Sequence, residues 1–304
     1  METNLAENFW NRTLHKGDTS TVINSTWDEE VQFLYKLGIS MESALQFLYS
    51  NRPKLVDFEK WIEINSIQIS GDESCSDDVF TVEEIQFWND NGYIVLKNAI
   101  SKEECARTRT AIWEFLGKSL EDEESWYTQH LAQSGMMVQF SDHPTLNANR
   151  NSPRIKKAYE QLYQSSDIYK TIDKVSFNPP ITNNYSFKGS DLHWDVSLHL
   201  PIPYRLQGLI YLSDCTENEG CFHCVPGFHH QIETWMNALP KNVNPREYAL
   251  QTLQPIPIVG AAGDLIIWNQ ALPHCATANY GKTPRMVQYL TYFPEKYTES
   301  EIWI

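Results

Sequence analysis

Apolar side chains recur every three to four residues in three segments near the start of the chain, which is the spacing of amphipathic helices. The first segment starts at about Thr26 and ends at Gly38, Ser40 can cap the second, and the third covers 55–64. Residues 1–23 are polar without this periodicity, and we expect them to be irregular. The pattern therefore predicts a small helical unit at the start of the chain.

A stretch rich in Ser, Gly and acidic residues follows at 66–78 and has no periodicity. Residues 1–78 carry fourteen acidic and six basic side chains, so they hold −8 of the formal charge of −15. We therefore expect a helical N-terminal extension with an acidic linker over 1–78 and a larger domain over 79–304.

The larger domain opens with two capping boxes, in which Ser or Thr is followed three residues later by Glu. They start at Thr81 and Ser101, and a strand pattern at 93–96 lies between the helices that they begin. Further on, the chain alternates between turns and short apolar runs, which are typical of buried strands. The main runs are 208–214, 263–268 and 286–293.

The net charge of −15 argues against nucleic acid as a partner, because proteins that bind it present basic surfaces to phosphates. It also disfavours anionic membrane surfaces. The most apolar window, 256–268, is too short and too rich in Gly to span a bilayer, and no secretory signal pattern is seen. We expect a cytoplasmic protein.

His193 and Asp195 are the strongest candidates for metal binding. They stand two residues apart in the predicted strand 192–196, so their side chains would share one face, with Cα atoms about 6.5 Å apart. His274 can supply a third ligand after the strand 263–268. Two His and one carboxylate with open positions form the ligand set of non-haem Fe(II) oxygenases. His199 would share that strand face but lies about 13 Å further along, too far for the same ion.

The six cysteines do not suggest a disulfide framework in a chain of this length. Cys221 and Cys224, with neighbouring histidines, leave a zinc cluster as an alternative. Strand alternation would point these two thiols to opposite faces, so reduced, partly buried cysteines are the simpler interpretation. The histidines of that alternative are His223, His229 and His230.

In this order of segments, the chain resembles the phytanoyl-CoA dioxygenase-like branch of the Fe(II)/2-oxoglutarate oxygenases over about residues 80–294. The resemblance implies an α+β fold with a mostly β core. This core would be a double-stranded β-helix, also called a jelly roll or cupin-like fold, with flanking helices. It also implies Fe(II) bound by His193, Asp195 and His274, with 2-oxoglutarate as cosubstrate and O₂.

The resemblance also suggests residues for the cosubstrate. Arg285, eleven residues after His274, occupies the position of the family's arginine for the distal carboxylate, and Asn279 also matches. Asn183 stands where some relatives carry an amide near the cosubstrate. If Arg285 does not bind the carboxylate, Lys188 is the next candidate.

Two positions depart from the family pattern. Ala276 stands where the family often has a hydroxyl that helps to hold the cosubstrate, and Thr277 can compensate for it. Trp194 stands between the first two ligands, where smaller or amide residues are common. Neither departure removes a metal ligand.

We therefore expect a dioxygenase that hydroxylates a small or acyl-type molecule and releases succinate and CO₂. A halogenase of the same fold is disfavoured, because such enzymes lack the carboxylate ligand that Asp195 supplies. The remaining alternatives are a non-catalytic protein that binds a metabolite or a partner, and a zinc hydrolase. The N-terminal helices either pack as an extension or dock a carrier protein.

Overall fold

The computed structural model describes residues 2–15, 23–66, 77–297, 300 and 302–304. The α-helices are α1 (Glu2–Leu14), α2 (Trp27–Lys36), α3 (Met41–Asn51), α4 (Leu55–Asn65), α5 (Val82–Asn91), α6 (Lys102–Leu116), α7 (Pro144–Arg150), α8 (Pro153–Tyr163), α9 (Ile232–Asn237) and α10 (Pro245–Thr252). Short 3-10 helices span Glu123–Tyr127 and Phe228–His230.

The strands are β1 (Tyr93–Leu96), β2 (Gln133–Ser134), β3 (Met137–Val138), β4 (Ile168–Lys170), β5 (Val175–Asn178), β6 (Leu206–Tyr211), β7 (Phe222–Cys224), β8 (Ile256–Ile258), β9 (Leu265–Asn269), β10 (His274–Ala276), β11 (Arg285–Tyr289) and β12 (Tyr292–Pro294). Within the ranges described, no helix is both long and apolar enough to cross a lipid bilayer.

The N-terminal residues are more helical than their composition suggests. Helix α1 occupies residues that we predicted to be irregular, so that prediction is wrong for Glu2–Leu14, while residues 16–22 lie outside the described ranges. Ala6 and Phe9 are buried, and Phe9 stacks on Phe58 of α4 at 6.2 Å between ring centroids. Tertiary burial of this apolar face therefore outweighs the polar composition.

The three predicted N-terminal helices are confirmed as α2, α3 and α4. Thr26 and Glu29 form a reciprocal capping box at the start of α2, and the Ser40 hydroxyl caps α3. An ion pair between Arg12 and the buried Glu30, at 2.9 Å, joins α1 to α2.

The chain divides into two compact units. One comprises Met1–Glu73 together with Tyr169–Asp173, and the other comprises Ser74–Ile168 and Lys174–Ile304. Within the first unit, Ile172 is only 2% exposed and belongs to the same apolar core as Phe9 and Phe58. Most of the predicted acidic linker lies outside the described residues, because the structure does not describe 67–76.

We expect deletion of residues 1–78 to lower the melting temperature and the solubility of the protein, because it would uncover Ile172. Burial of one Ile side chain contributes roughly 1.5–3 kcal/mol. Thermal melting and light scattering measure both effects, and adding Ile172→Ser to the deletion should recover part of the solubility. A deletion variant that melts like the full chain would contradict this prediction.

The larger unit is built on two antiparallel sheets. A seven-stranded sheet has the order β1-β9-β6-β11-β5-β3-β2, and a three-stranded sheet has the order β10-β7-β8. All strand pairs of both sheets are antiparallel. The predicted jelly-roll core with flanking helices is confirmed.

Alternation along β9 shows how the two sheets are packed. Leu265 and Ile267 belong to the core that the larger sheet shares with α6 and α8, whereas Ile266 and Trp268 belong to the core that it shares with β7 and β8. Both faces of the sheet are therefore covered, which explains the continuous apolar run in the sequence.

The capping boxes predicted at Thr81 and Ser101 are both present and begin α5 and α6. Two predicted strands differ from the structure. The run 286–293 forms two strands, β11 and β12, and residues 192–196 form no regular strand but make a single bridge between His193 and His274.

Candidate metal centre and cosubstrate site

His193, Asp195 and His274 come together in space. One ligand atom from each of these side chains lies within 4.8 Å of the others, and the described residues contain no second such group. Asp195 Oδ1 lies 3.6 Å from His193 Nε2, and Asp195 Oδ2 lies 3.2 Å from His274 Nε2. Three donors that converge in this way can hold one metal ion.

The backbone positions two of these side chains directly opposite each other. His193 and His274 exchange two hydrogen bonds, with N···O distances of 3.0 and 2.9 Å. The segment before His193 approaches the end of β10 closely at Gly189. Only glycine fits there, because a Cβ would lie 2.0 Å from the carbonyl oxygen of Ala276. His274 is the first residue of β10. Its imidazole lies near the rings of Phe222 and Trp268, with centroid distances of 5.7 and 5.2 Å.

The tautomer of each imidazole follows from its hydrogen bonds. His193 Nδ1 lies 2.7 Å from the carbonyl oxygen of Asp191, and His274 Nδ1 lies 3.2 Å from that of Leu272. A carbonyl oxygen only accepts, so each Nδ1 carries the hydrogen. The lone pair of each Nε2 therefore faces Asp195, which is the arrangement of a metal-binding histidine.

Electrostatics keep the carboxylate charged and one imidazole neutral. Partial burial by itself raises the pKa of Asp195, but the adjacent His274 and the hydrogen bond that Gln207 donates outweigh it and hold this pKa well below the ordinary value. Burial lowers the pKa of His193, and the neighbouring His274 lowers it further. A metal therefore meets little competition from protons at Asp195 or His193.

Arg246, on α10, braces the backbone on both sides of Asp195. Its guanidinium donates to the carbonyl oxygens of Trp194 and Val196, each at 2.8 Å, and to that of Ile304 at 3.0 Å. These carbonyls bond to Arg246 instead of a neighbouring strand, in agreement with the irregular backbone of this segment. The sequence did not point to Arg246, because it lies 51 residues from Asp195 without a motif of its own.

Trp194 points away from His193, Asp195 and His274, which together form the candidate metal-binding group. It is 2% exposed, and its indole Nε1 donates to the carbonyl oxygen of Ala271 at 2.9 Å. The bulky residue between the first two ligands thus fills the core.

Arg285 is a buried cation without an acidic partner. It is 2% exposed, its Nη1 donates to Ser176 Oγ at 3.3 Å, and its Nε has no hydrogen-bond partner. Burial by itself lowers the pKa of Arg285, but the nearby Cys215 and Tyr211 raise it above the ordinary value, so the group stays charged. Among the described residues, no carboxylate forms an ion pair with it.

Two further buried polar atoms lack partners in the neighbourhood of Arg285. They are Thr277 Oγ1 and Asn178 Oδ1. Asn178 lies directly across from Arg285 in the pairing of β5 with β11, and its amide donates to the carbonyl oxygen of Thr277 at 3.3 Å. Buried polar atoms without partners are rare in proteins, so this cluster is suited to a polar ligand.

Asn279 shapes the turn that precedes β11. Its amide hydrogens go to the carbonyl oxygens of Asn178 and Thr283, each at 2.9 Å, and its Oδ1 accepts from the backbone of Gly281 at 2.8 Å. A direct contact between Asn279 and the cosubstrate stays a prediction.

The remaining candidates lie at more exposed positions. Asn183 is exposed in the turn between Thr182 and Tyr185, and Lys188 is exposed as well. The role predicted for Asn183 stays a prediction. His199 lies outside the metal-binding group, and its Nδ1 contacts Ser300 Oγ at 3.1 Å.

The alternative zinc cluster does not form in the described part of the chain. Cys221 and Cys224 are free and buried, and neither belongs to a group of potential metal ligands. His229 and His230 both contact the carbonyl oxygen of Asn89 instead, at 3.1 and 2.7 Å.

Comparisons with known proteins agree with this geometry. A family model described as phytanoyl-CoA dioxygenase matches residues 88–287. The ectoine dioxygenase of Bordetella bronchiseptica is 22% identical over 235 residues, which cover 71% of this chain and 76% of that protein. The phytanoyl-CoA dioxygenase domain-containing protein 1 of Danio rerio is 23% identical over 278 residues, which cover 74% of this chain and 93% of that protein.

A solved structure shows the same fold. HygX from Streptomyces hygroscopicus, with nickel and 2-oxoglutarate bound, aligns with a TM-score of 0.53 and 15% identity, covering 73% of this chain and 90% of HygX. The family match spans most of the chain and contains all three residues of the metal-binding group. The chain therefore belongs to the phytanoyl-CoA dioxygenase family and is a 2-oxoglutarate-dependent non-haem iron dioxygenase.

Proposed function

We propose that this enzyme hydroxylates a small or acyl-type molecule at an Fe(II) ion held by His193, Asp195 and His274. The observation that carries the proposal is the metal-binding group, in which both imidazoles direct Nε2 at one charged carboxylate. Two imidazoles and one carboxylate suit ferrous iron and leave coordination positions for other ligands. The donor set therefore fits the metal that the family uses.

We further propose that Arg285 binds the distal carboxylate of 2-oxoglutarate. A buried anion needs a partner, and the planar guanidinium can bind a carboxylate through two nitrogens. The unpaired Nε of Arg285 supports this proposal, because it can donate to that carboxylate. Thr277 Oγ1 is also buried without a partner, so Thr277 stays the candidate for the hydroxyl that the family often carries at the position of Ala276.

When bound, iron and 2-oxoglutarate supply the oxidative chemistry, in which O₂ is consumed, 2-oxoglutarate gives succinate and CO₂, and the substrate gains a hydroxyl. The protein's own residues position the reactants. The backbone carbonyls of Asp191 and Leu272 orient the two imidazoles, and Arg246 fixes the backbone around Asp195. Phe222 and Trp268 shield His274, whose side chain is 7% exposed, from water.

The identity of one residue, Asp195, favours hydroxylation over halogenation. In a halogenase of this fold, a small residue replaces the carboxylate ligand so that a halide can bind iron. Here Asp195 occupies that position, with both oxygens facing the histidines.

The substrate class is proposed from the relatives. One is named ectoine dioxygenase and another methylphosphonate hydroxylase, and both names denote small polar substrates. The family name points to acyl-CoA substrates. We therefore propose small zwitterions, phosphonates and acyl-CoA thioesters as the candidate substrates.

We expect protein loaded anaerobically with Fe(II) to form succinate from 2-oxoglutarate once O₂ is admitted, and a metal chelator to abolish this activity. One class of candidate substrate should increase the rate of succinate formation, with a product heavier by one oxygen atom. Mass spectrometry of both products measures the result. Absence of metal-dependent succinate formation with every candidate would contradict the proposed function.

A further inference from the structure

The side chain of Gln207 links a proposed metal ligand to the rigid sheet. Gln207 Nε2 donates to Asp195 Oδ2 at 2.7 Å, and the indole Nε1 of Trp268 donates to Gln207 Oε1 at 3.0 Å. Gln207 on β6 and Trp268 on β9 are direct cross-strand partners. The three side chains therefore form one hydrogen-bonded chain from the sheet to the metal-binding group.

The orientation of the Gln207 amide follows from chemistry. The indole nitrogen can only donate, so the amide atom that faces Trp268 must be the oxygen. The amide nitrogen then has to face Asp195, where a carboxylate accepts its hydrogen. Trp268 thus determines which end of the amide reaches the carboxylate.

The side chain of Asp195 needs a hydrogen bond from another part of the fold to hold its orientation. Its side chain is 51% exposed, and it belongs to a segment without regular strand pairing. Trp268, in contrast, is 3% exposed and packs against Phe222 at 4.5 Å between ring centroids. Arg246 fixes the backbone around Asp195, and the hydrogen bond from Gln207 connects the half-exposed carboxylate itself to the paired strands β6 and β9.

We propose that Gln207 is a positioning residue that restricts Asp195 to binding iron through one oxygen. The inference rests on the proposed function, because it takes Asp195 as a metal ligand. An amide hydrogen bonded to Oδ2 opposes coordination through both oxygens. Coordination through both would fill a position that the cosubstrate or O₂ needs.

The test uses Gln207→Met, which keeps the length of the side chain and removes both hydrogen bonds. Mn(II) serves as a redox-stable probe for Fe(II), and competition with a fluorescent chelator measures its affinity for the full-length protein. We expect the variant to bind Mn(II) about 10–100-fold more weakly, which is the usual effect of losing an outer-shell partner.

A spectroscopic measurement separates positioning from a general loss of structure. The asymmetric and symmetric carboxylate stretches are further apart in frequency when a carboxylate binds metal through one oxygen than through two. We expect infrared difference spectra of Mn(II) binding, recorded with ¹³C-labelled aspartate, to show the wide separation in the wild type. Gln207→Met should show the narrow one.

Two further variants serve as controls. Trp268→Phe removes the indole donor together with part of a buried ring, leaves Gln207 in place, and should weaken Mn(II) binding in the same direction but less than Gln207→Met. In an Asp195→Ala background, Gln207→Met should cause no additional loss of Mn(II) affinity. All variants should melt within a few degrees of their parent proteins.

The possible failures are distinguishable. Mn(II) affinity of Gln207→Met within threefold of the wild type, with Asp195→Ala strongly impaired, would overturn the role of Gln207 and leave the proposed function intact. An Asp195→Ala variant that binds Mn(II) like the wild type would overturn both. An unchanged infrared separation in Gln207→Met would also overturn the proposed restriction to one oxygen.

Discussion

Replacing His274 with alanine is expected to abolish iron binding and 2-oxoglutarate turnover. The imidazole of His274 has a defined tautomer, and its side chain is 7% exposed, so water cannot easily take its place. Loss of a ligand should cost more metal affinity than the about 10–100-fold that follows loss of an outer-shell partner. Anaerobic Fe(II) titration and succinate formation measure the two effects on one preparation.

His199→Ala is the matched control for this experiment. It is also a His-to-Ala change, but His199 contacts Ser300 and lies outside the metal-binding group. We expect this variant to keep both iron and activity. Succinate formation by His274→Ala at the wild-type rate would remove His274 from the proposed ligand set.

The convergence of His193, Asp195 and His274 was predictable from the sequence for two different reasons. His193 and Asp195 are close in the chain, so their convergence depends on only a few backbone angles. His274 was found because it follows a recognisable buried strand in the order typical of the family. The single bridge between His193 and His274 is sufficient to bring the ligands together, although the predicted strand around His193 does not form.

Gln207 and Arg246 could not be predicted in the same way. Gln207 contacts Asp195 only because the fold brings the segment around Asp195 next to β6, and Arg246 contacts it only because α10 packs near the same segment. Neither residue belongs to a local pattern that would distinguish it from the other glutamines and arginines of the chain. Such contacts depend on tertiary packing, which periodicity does not encode.

Helix α1 was not predicted from the sequence for a different reason. Its apolar residues Leu5, Ala6, Phe9, Trp10 and Leu14 do stand at helical spacing, but the polar residues between them favour turns as much as helices. Burial of Phe9 between Phe58 and Trp27, at centroid distances of 6.2 and 5.2 Å, stabilises the helix. The partners of Phe9 lie 18 or more residues away, so the local sequence alone did not reveal this packing.

Arg285→Gln is expected to weaken 2-oxoglutarate binding far more than metal binding. Loss of one partner from a buried charged pair costs about 3–5 kcal/mol, or about two to four orders of magnitude in affinity. The metal-free variant should melt no lower than the wild type, because Arg285 has no acidic partner among the described residues that the substitution would leave unpaired.

Thermal melting with increasing 2-oxoglutarate at saturating Mn(II) measures this difference. A ligand at 100 times its dissociation constant stabilises a protein by about 2.7 kcal/mol, so the wild type should show a clear rise in melting temperature. Arg285→Gln should show almost none at the same concentration. Arg154→Gln is the matched control, because Arg154 donates to the backbone carbonyl oxygens of Lys97 and Asn98 rather than to the buried cluster. An unchanged response of Arg285→Gln to 2-oxoglutarate would transfer the carboxylate-binding role to another cation, and Lys188 would be tested next.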